Sequence, residues 1–221
     1  MLLSIPKLLT AKDLEMISEK LKVEDFIDGK KTAGWSAKKV KQNTQLDTKA
    51  QYGKELKEFI KEALKRNLTF QSGVKPKFIH SMLLSRYQEG MSYGAHVDNA
   101  VMGSNFLRSD VSLTVFLNPP SEYEGGELVI EEVNQNRMIK LDAGSVITYP
   151  SSTLHRVAPV TKGVRLVAVA WVQSLVRDPA KREILFELDL SRRSIFEKHG
   201  KCNEFNWINK SYTNLLRQWS D

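Results

Sequence analysis

The segment 145-SVITYPSSTLHRVAPVTKGVRLVAVAWVQS-174 decides the fold. Its apolar runs, at 145–150, 154–160 and 164–174, are short and rich in β-branched and aromatic residues. Ser, Pro and Gly interrupt them, and the turn signal 161-TKG-163 separates the last two, so the segment reads as three consecutive strands. The same texture extends upstream. Residues 77-KFIHSMLLSRY-87, 110-DVSLTVFLN-118, 127-ELVIEE-132 and 137-RMIKL-141 read as four more strands. Turn signals at 118-NPPSEYEGG-126, 133-VNQN-136 and 142-DAG-144 lie between them. Seven short strands with no helical period between them argue an antiparallel sandwich or jelly-roll barrel rather than a parallel α/β sheet.

Helices flank this β-region. Thr10 and Asp13 have the spacing of a capping box, and Leu14, Ile17 and Leu21 follow at helical intervals, which predicts a helix over 11–22. A second is predicted over 48–67, with Tyr52, Leu56, Phe59, Ile60, Ala63 and Leu64 on one face; both are assigned to packing on a sheet. Residues 28-DGKKTAGW-35 and 72-SGVKP-76 read as irregular or turn stretches. Beyond Asp178 the pattern is helical again, over 178–200 and 205–219. The expected fold is therefore α+β with a mainly β core. Residues 1–76 form an N-terminal helical and irregular support region, 77–177 the jelly-roll core, and 178–221 a C-terminal helical region.

Composition narrows the class. With 221 residues, 41% hydrophobic and 27% charged, the chain is an ordinary globular protein able to bury one sizeable core. Cys202 is the only cysteine, so no disulfide forms within the chain, which fits a reducing compartment. Pro6 and Lys7 break the apolar N-terminus, which is not read as a signal peptide, and no stretch is long enough to cross a membrane. A cytoplasmic protein is expected. The net charge of +7 permits an acidic partner. However, the lysines of 54-KELKEFIKEALKR-66 alternate with glutamates as on a solvated helix face, and charge alone does not argue nucleic-acid binding.

The chemistry is carried by 87-YQEGMSYGAHVDN-99. In an extended segment, residues two apart share a face, so His96 and Asp98 project an imidazole and a carboxylate toward one point. They supply two ligands of a 2-His-1-carboxylate facial triad, and His155 is the remote histidine available as the third. Four histidines and 26 acidic residues would produce about 0.5 such H-x-[DE] matches by chance, so context has to carry the reading. Arg165 lies ten residues after His155. A hairpin turn centred near Val160 would make the two cross-strand partners, placing a cation beside the third ligand inside the roll. No acidic residue lies in either strand to pair with it, whereas a bound dicarboxylate would meet that need bidentately. His80, in an apolar strand, reads as structural and His199 as solvent-exposed. Gly125 and Gly126 read as turn glycines rather than a phosphate loop.

Taken together, these residues resemble the Fe(II)/2-oxoglutarate-dependent dioxygenases, in the prolyl-4-hydroxylase-like branch and its bacterial PKHD-type hydroxylases. The matching motifs are Y-x-x-G-x-x-Y-G-x-H-x-D (Tyr87 to Asp98), the strand 110–118, E-G-G-E-L (Glu124 to Leu128), Y-P-S-S-x-x-H (Tyr149 to His155) and R-x-x-x-x-x-W (Arg165 to Trp171). Residues 171–189 also resemble PKHD-type sequences. The resemblance implies His96, Asp98 and His155 as iron ligands and Arg165 as the grip on the distal carboxylate of 2-oxoglutarate. It implies Tyr87 in the cosubstrate pocket, and Trp171 and Tyr93 on the substrate side. Phe116 falls where oxygen-sensing prolyl hydroxylases carry a tyrosine, which shifts that role to a hydroxyl of Thr114 or Ser112.

The implied reaction uses O2 and 2-oxoglutarate, releases succinate and CO2, and hydroxylates an unactivated C–H bond, with ascorbate as an accessory reductant. The implied substrate is peptidyl or free proline, or a small molecule, and the helical C-terminus allows a homodimer. A nucleic-acid demethylase of the same superfamily would explain the positive charge. Trp171, however, occupies the place of the second arginine such repair enzymes require. A cupin-like metal-binding protein would leave Arg165 without a role.

Overall fold

The computed structural model describes residues 1–32, 34–35, 37–103 and 105–221. Ala33, within the stretch read as irregular at 28–35, lies outside the described residues. The N-terminal part runs β1 (Leu3–Ile5), α1 (Ala11–Lys20), β2 (Phe26–Asp28), β3 (Lys41–Gln42), β4 (Thr44–Leu46), α2 (Gln51–Arg66) and α3 (Leu68–Val74). The central part runs β5 (Pro76–Gln88), β6 (Ser92–His96), β7 (Val101–Met102), β8 (Leu107–Arg108), β9 (Val111–Phe116), β10 (Tyr123–Gly125), β11 (Leu128–Ile130), β12 (Arg137–Ile139), β13 (Val146–Pro150), β14 (His155–Val157) and β15 (Val160–Ser174). Helices α4 (Pro179–His199) and α5 (Asn203–Trp219) close the chain.

Two antiparallel sheets face each other as a jelly roll. The larger has the order β1-β13-β9-β15-β5-β4-β2, with β10 added on β15; the smaller has the order β12-β11-β14-β6-β3. Side-chain alternation sorts the larger sheet into two faces. On β9, Val111, Leu113 and Val115 pack outward against Leu56, Ile60 and Leu64 of α2, whose i, i+4, i+8 spacing lays one apolar stripe on the sheet. Its other residues, Ser112, Thr114 and Phe116, are equally buried and face the interior of the roll. Likewise β15 turns Ala168, Ala170 and Val172 to the helices. Arg165, Val169 and Trp171, two-residue steps along the same strand, line the interior cavity. The polar face of α2 carries Glu58–Lys61 and Glu62–Lys65 pairs, the solvated face expected from its alternating charges.

Helix α1 starts at the capping box read from the sequence: the Asp13 amide donates to Thr10 Oγ1, and the Thr10 amide to the Asp13 carboxylate. Asp178 caps α4, accepting from the amides of Ala180 and Lys181, with Pro179 in the first turn where its missing N–H costs nothing. The C-terminal helices are anchored by Asp189. Only 1% exposed, it accepts from Ser72 Oγ of α3 at 2.6 Å and from Arg193 Nε at 2.8 Å.

Three expectations are corrected. The region 1–76 is not only helical and irregular: β1 to β4 extend both sheets, and α3 occupies part of the stretch read as a turn. Residues 154–160 and 164–174 are not a hairpin. His155 to Val157 belong to the smaller sheet, and the chain crosses to the larger one at Ala158–Pro159. His155 therefore does not pair with Arg165. It pairs with His96 on β6 and Ile130 on β11, while Arg165 pairs with Tyr87 on β5.

Candidate active site

Cross-strand pairing builds the centre of the site. His96 and His155 are register partners on β6 and β14, so their side chains leave the same face of the smaller sheet, with ring centroids 4.3 Å apart. Asp98 follows two residues after His96 and turns its carboxylate to the same point. Its oxygens lie 3.9 Å from His96 Nε2 and 3.9 Å from His155 Nε2. Ligand atoms of all three lie within 4.8 Å of one another.

Each imidazole is fixed by its other nitrogen. His96 Nδ1 meets the Gly94 carbonyl at 2.8 Å and His155 Nδ1 the Thr153 carbonyl at 3.0 Å. A carbonyl only accepts, so each Nδ1 carries a proton and each Nε2 is the nitrogen turned to the centre. Burial, followed by the neighbouring His155, pulls His96 down to about 4, so it is neutral at neutral pH. Ser112 Oγ donates to Asp98 at 2.6 Å and lies 2.8 Å from Ser151 Oγ. With its one proton given to the carboxylate, Ser112 must accept from Ser151. The Ser112 hydroxyl is therefore committed to Asp98, whereas Thr114, the other hydroxyl considered from the sequence, meets the Tyr149 phenol.

Among the described residues Arg165 is the largest fully buried side chain, 1% exposed, and its Nε has no hydrogen-bond partner there. Its guanidinium lies 5.1 Å from the ring centre of Tyr87 and 5.8 Å from that of Phe116. Two aromatic faces stabilise the cation in part, but an orphaned charged donor at this depth calls for an anion. The residues fit the ligands they were read for. Two imidazoles and a carboxylate on one face suit a non-heme Fe(II) with open positions, and the buried fork suits a carboxylate.

All the sequence-predicted residues converge on one cavity of about 430 Å³: His96, Asp98, His155, Arg165, Tyr87, Thr114, Tyr93 and Trp171 all line it. Tyr93 stacks on His96 at 3.7 Å, and the Trp171 indole Nε1 has no partner among the described residues. His80 bonds the Arg108 carbonyl, consistent with a structural role.

Sequence reasoning missed one wall. Lys41, Asn43 and Gln45 are buried and line the same cavity, whereas Gln42 between them is exposed. Their signal is 41-KQNTQ-45, a period-two pattern across β3 and the start of β4 whose inward face is polar. A search for alternating hydrophobics passes over it. Tyr149 was also missed as a site residue; it meets His155 edge-on at 5.0 Å, and burial raises its phenol well above the ordinary value.

A model of the 2OG-Fe(II) oxygenase superfamily matches residues 82–173, the stretch that carries the triad and Arg165. Fold and site thus define an oxidoreductase of the Fe(II)- and 2-oxoglutarate-using class. A model of the PKHD-type hydroxylase C-terminal domain matches residues 179–221, which are α4 and α5. PKHD-type hydroxylases of Gloeothece citriformis and Acaryochloris marina are 56% and 57% identical over 221 residues, covering the whole of both chains. The chain belongs to the PKHD-type hydroxylases.

Among solved structures, a Trichoplax adhaerens prolyl hydroxylase in complex with a hypoxia inducible factor peptide fragment aligns with TM-score 0.59. It shares 14% identity over 83% of this chain and 86% of that one. A Pseudomonas putida prolyl-4-hydroxylase aligns with TM-score 0.52 and 17% identity over 78% and 92%. These likenesses confirm the jelly-roll fold. Among the described residues, no helix is long and apolar enough to cross a membrane.

Proposed function

We propose that this chain hydroxylates an unactivated C–H bond of a small molecule or a peptidyl side chain, proline among them, with conversion of 2-oxoglutarate to succinate and CO2. One observation carries the reading: the two histidine Nε2 atoms and the Asp98 carboxylate converge in the same cavity as the buried, unpartnered Nε of Arg165.

His96, Asp98 and His155 would hold Fe(II), which with O2 and 2-oxoglutarate supplies the oxidant for C–H hydroxylation. The protein's own part is positioning. The Gly94 and Thr153 carbonyls fix the two imidazoles, and the Ser151–Ser112 chain fixes the Asp98 carboxylate. Arg165 would hold a carboxylate of the cosubstrate, with Tyr87 and Phe116 against its guanidinium and Thr114 on β9 lining the same cavity. Tyr93 and Trp171 form the substrate side. A cavity of this size suits a small substrate. Trp171 in place of a second arginine argues against a nucleic-acid substrate. Ascorbate acts as an accessory reductant, the setting is the cytoplasm, and α4–α5 provide a surface for a homodimer.

The test is anaerobic titration of metal-free protein with Fe(II) and then 2-oxoglutarate, followed by the visible metal-to-ligand charge-transfer band. The band is expected in the wild type and lost in His155→Ala. Its absence from folded wild-type protein would overturn the proposal.

A further inference from the structure

The cavity wall missed by sequence reasoning carries a charge that the reaction does not use. Lys41 is 4% exposed, and its Nζ lies 5.2 Å from the ring centre of Tyr93, the ring stacked on His96. One of its N–H bonds goes to Thr32 Oγ1 at 3.1 Å, and Thr32 in turn donates to Gln45 Oε1 at 2.6 Å. Burial lowers the ammonium to about 8, so it remains largely charged at neutral pH. Two residues on, the side chain of Asn43 is 4% exposed beside the Tyr87 phenol, and among the described residues neither its Nδ2 nor its Oδ1 has a partner at hydrogen-bonding geometry. An amide buried with neither end satisfied is costly unless a ligand completes it.

Charge balance decides what that ligand is. Among the described residues lining the cavity, the charged ones are Lys41, Asp98 and Arg165, a net of one positive charge. On the function proposed above, on which this inference rests, Fe(II) and the 2-oxoglutarate dianion cancel each other. One positive charge remains, and since Arg165 is matched by the cosubstrate and Asp98 by the metal, it belongs to Lys41.

We propose that Lys41 and Asn43 form the substrate-recognition wall, and that the substrate presents one carboxylate to Lys41 and an adjoining polar group to Asn43. The substrate class is thus a small monocarboxylate rather than a neutral or cationic molecule. The sequence 41–45 serves this role because β3 pairs with β6 beside Tyr93 while β4 pairs with β5 beside Arg86, so the segment spans the opening between the two sheets.

The probes are isobutyrate and its neutral isostere isobutyramide, added to protein loaded with Mn(II) and saturating 2-oxoglutarate. Paramagnetic broadening of the probe's methyl protons by Mn(II) is the readout. Saturable broadening is expected for isobutyrate and not for the amide. Lys41→Met should weaken it at least tenfold, and Lys41→Arg, which keeps the charge, should retain it. Equal broadening by the two probes, no saturable broadening by either, or a Lys41→Met variant as effective as wild type would overturn the proposal. The Fe(II)–2-oxoglutarate band of the wild type is recorded alongside. Its absence overturns the underlying function instead, so the two failures are distinguishable.

Discussion

Replacing Arg165 with methionine should have effects of opposite sign on stability and on cosubstrate binding. In the metal-free, cosubstrate-free protein, Arg165 is 1% exposed with Nε unpartnered. An unsatisfied buried donor costs about 1–3 kcal/mol, more when it is charged. Against this stand two ring contacts near the outer limit of cation–π range, each contributing about 0.5–1 kcal/mol. Methionine keeps most of the volume and carries no charge, so the variant should gain about 1 kcal/mol. For a chain of this length that is a rise in Tm of roughly 2–4 °C. Binding moves the other way. A cosubstrate carboxylate left unpaired in the same place forfeits about 2–5 kcal/mol, which is roughly a 30- to 5,000-fold loss of affinity. Thermal melts of the apo proteins, followed by 2-oxoglutarate titrations with Fe(II) under argon, measure both. A fall in the apo Tm of the variant by several degrees, or an unchanged titration, would refute the reasoning.

Ser112→Ala removes the hydroxyl that holds the Asp98 carboxylate at 2.6 Å, and metal affinity should drop about 10–100-fold with the fold intact, as read by Mn(II) titration. Gly29→Ala would place a Cβ 2.0 Å from Asn43 Oδ1. That contact forces the Asn43 amide aside and should cost about 1–3 kcal/mol in thermal denaturation. Burial raises the pKa of Asp189, but hydrogen bonds from Ser72, Arg192 and Arg193 outweigh it, and the net shift is downward. A carboxylate with a depressed folded-state pKa contributes stability above its unfolded value of 3.8 that is lost as pH falls through the folded value. Asp189→Asn should therefore melt lower than wild type at pH 7, and the difference should shrink below about pH 4. A gap that keeps its full pH 7 size as the pH is taken well below the unfolded value would count against the ion-pair account.

The metal ligands were legible because their geometry is local or strongly patterned. His96 and Asp98 need only an extended segment to converge, and His155 stands in a run of strand residues. Arg165 was read correctly as a cavity residue but given the wrong neighbour. Pro159 has no N–H to continue a ladder, and the chain crosses from one sheet to the other there. Gly163, read as a turn, sits inside β15 at φ +78°, opposite Tyr123. A glycine with positive φ marks a turn or an irregular strand equally well, and only the partner strand decides between them. The segment 41–45 was illegible for another reason. Hydrophobic alternation reports burial against a dry core, whereas Lys41, Asn43 and Gln45 are buried against a polar cavity, so their pattern resembles that of a loop.

The short strand pair that bridges the two sheets has a consequence for how this chain can change over time. The triad comes from β6, β14 and the residue pair following His96, and Arg165 comes from β15, all within residues 96–165. The polar wall comes from a stretch more than fifty residues earlier that supplies none of the ligand atoms. Substitutions at positions 43 and 45 can therefore redraw the cavity wall without removing a ligand atom, whereas position 41 also touches the Tyr93 ring stacked on His96. Reactivity and choice of target are separately inherited parts of one fold.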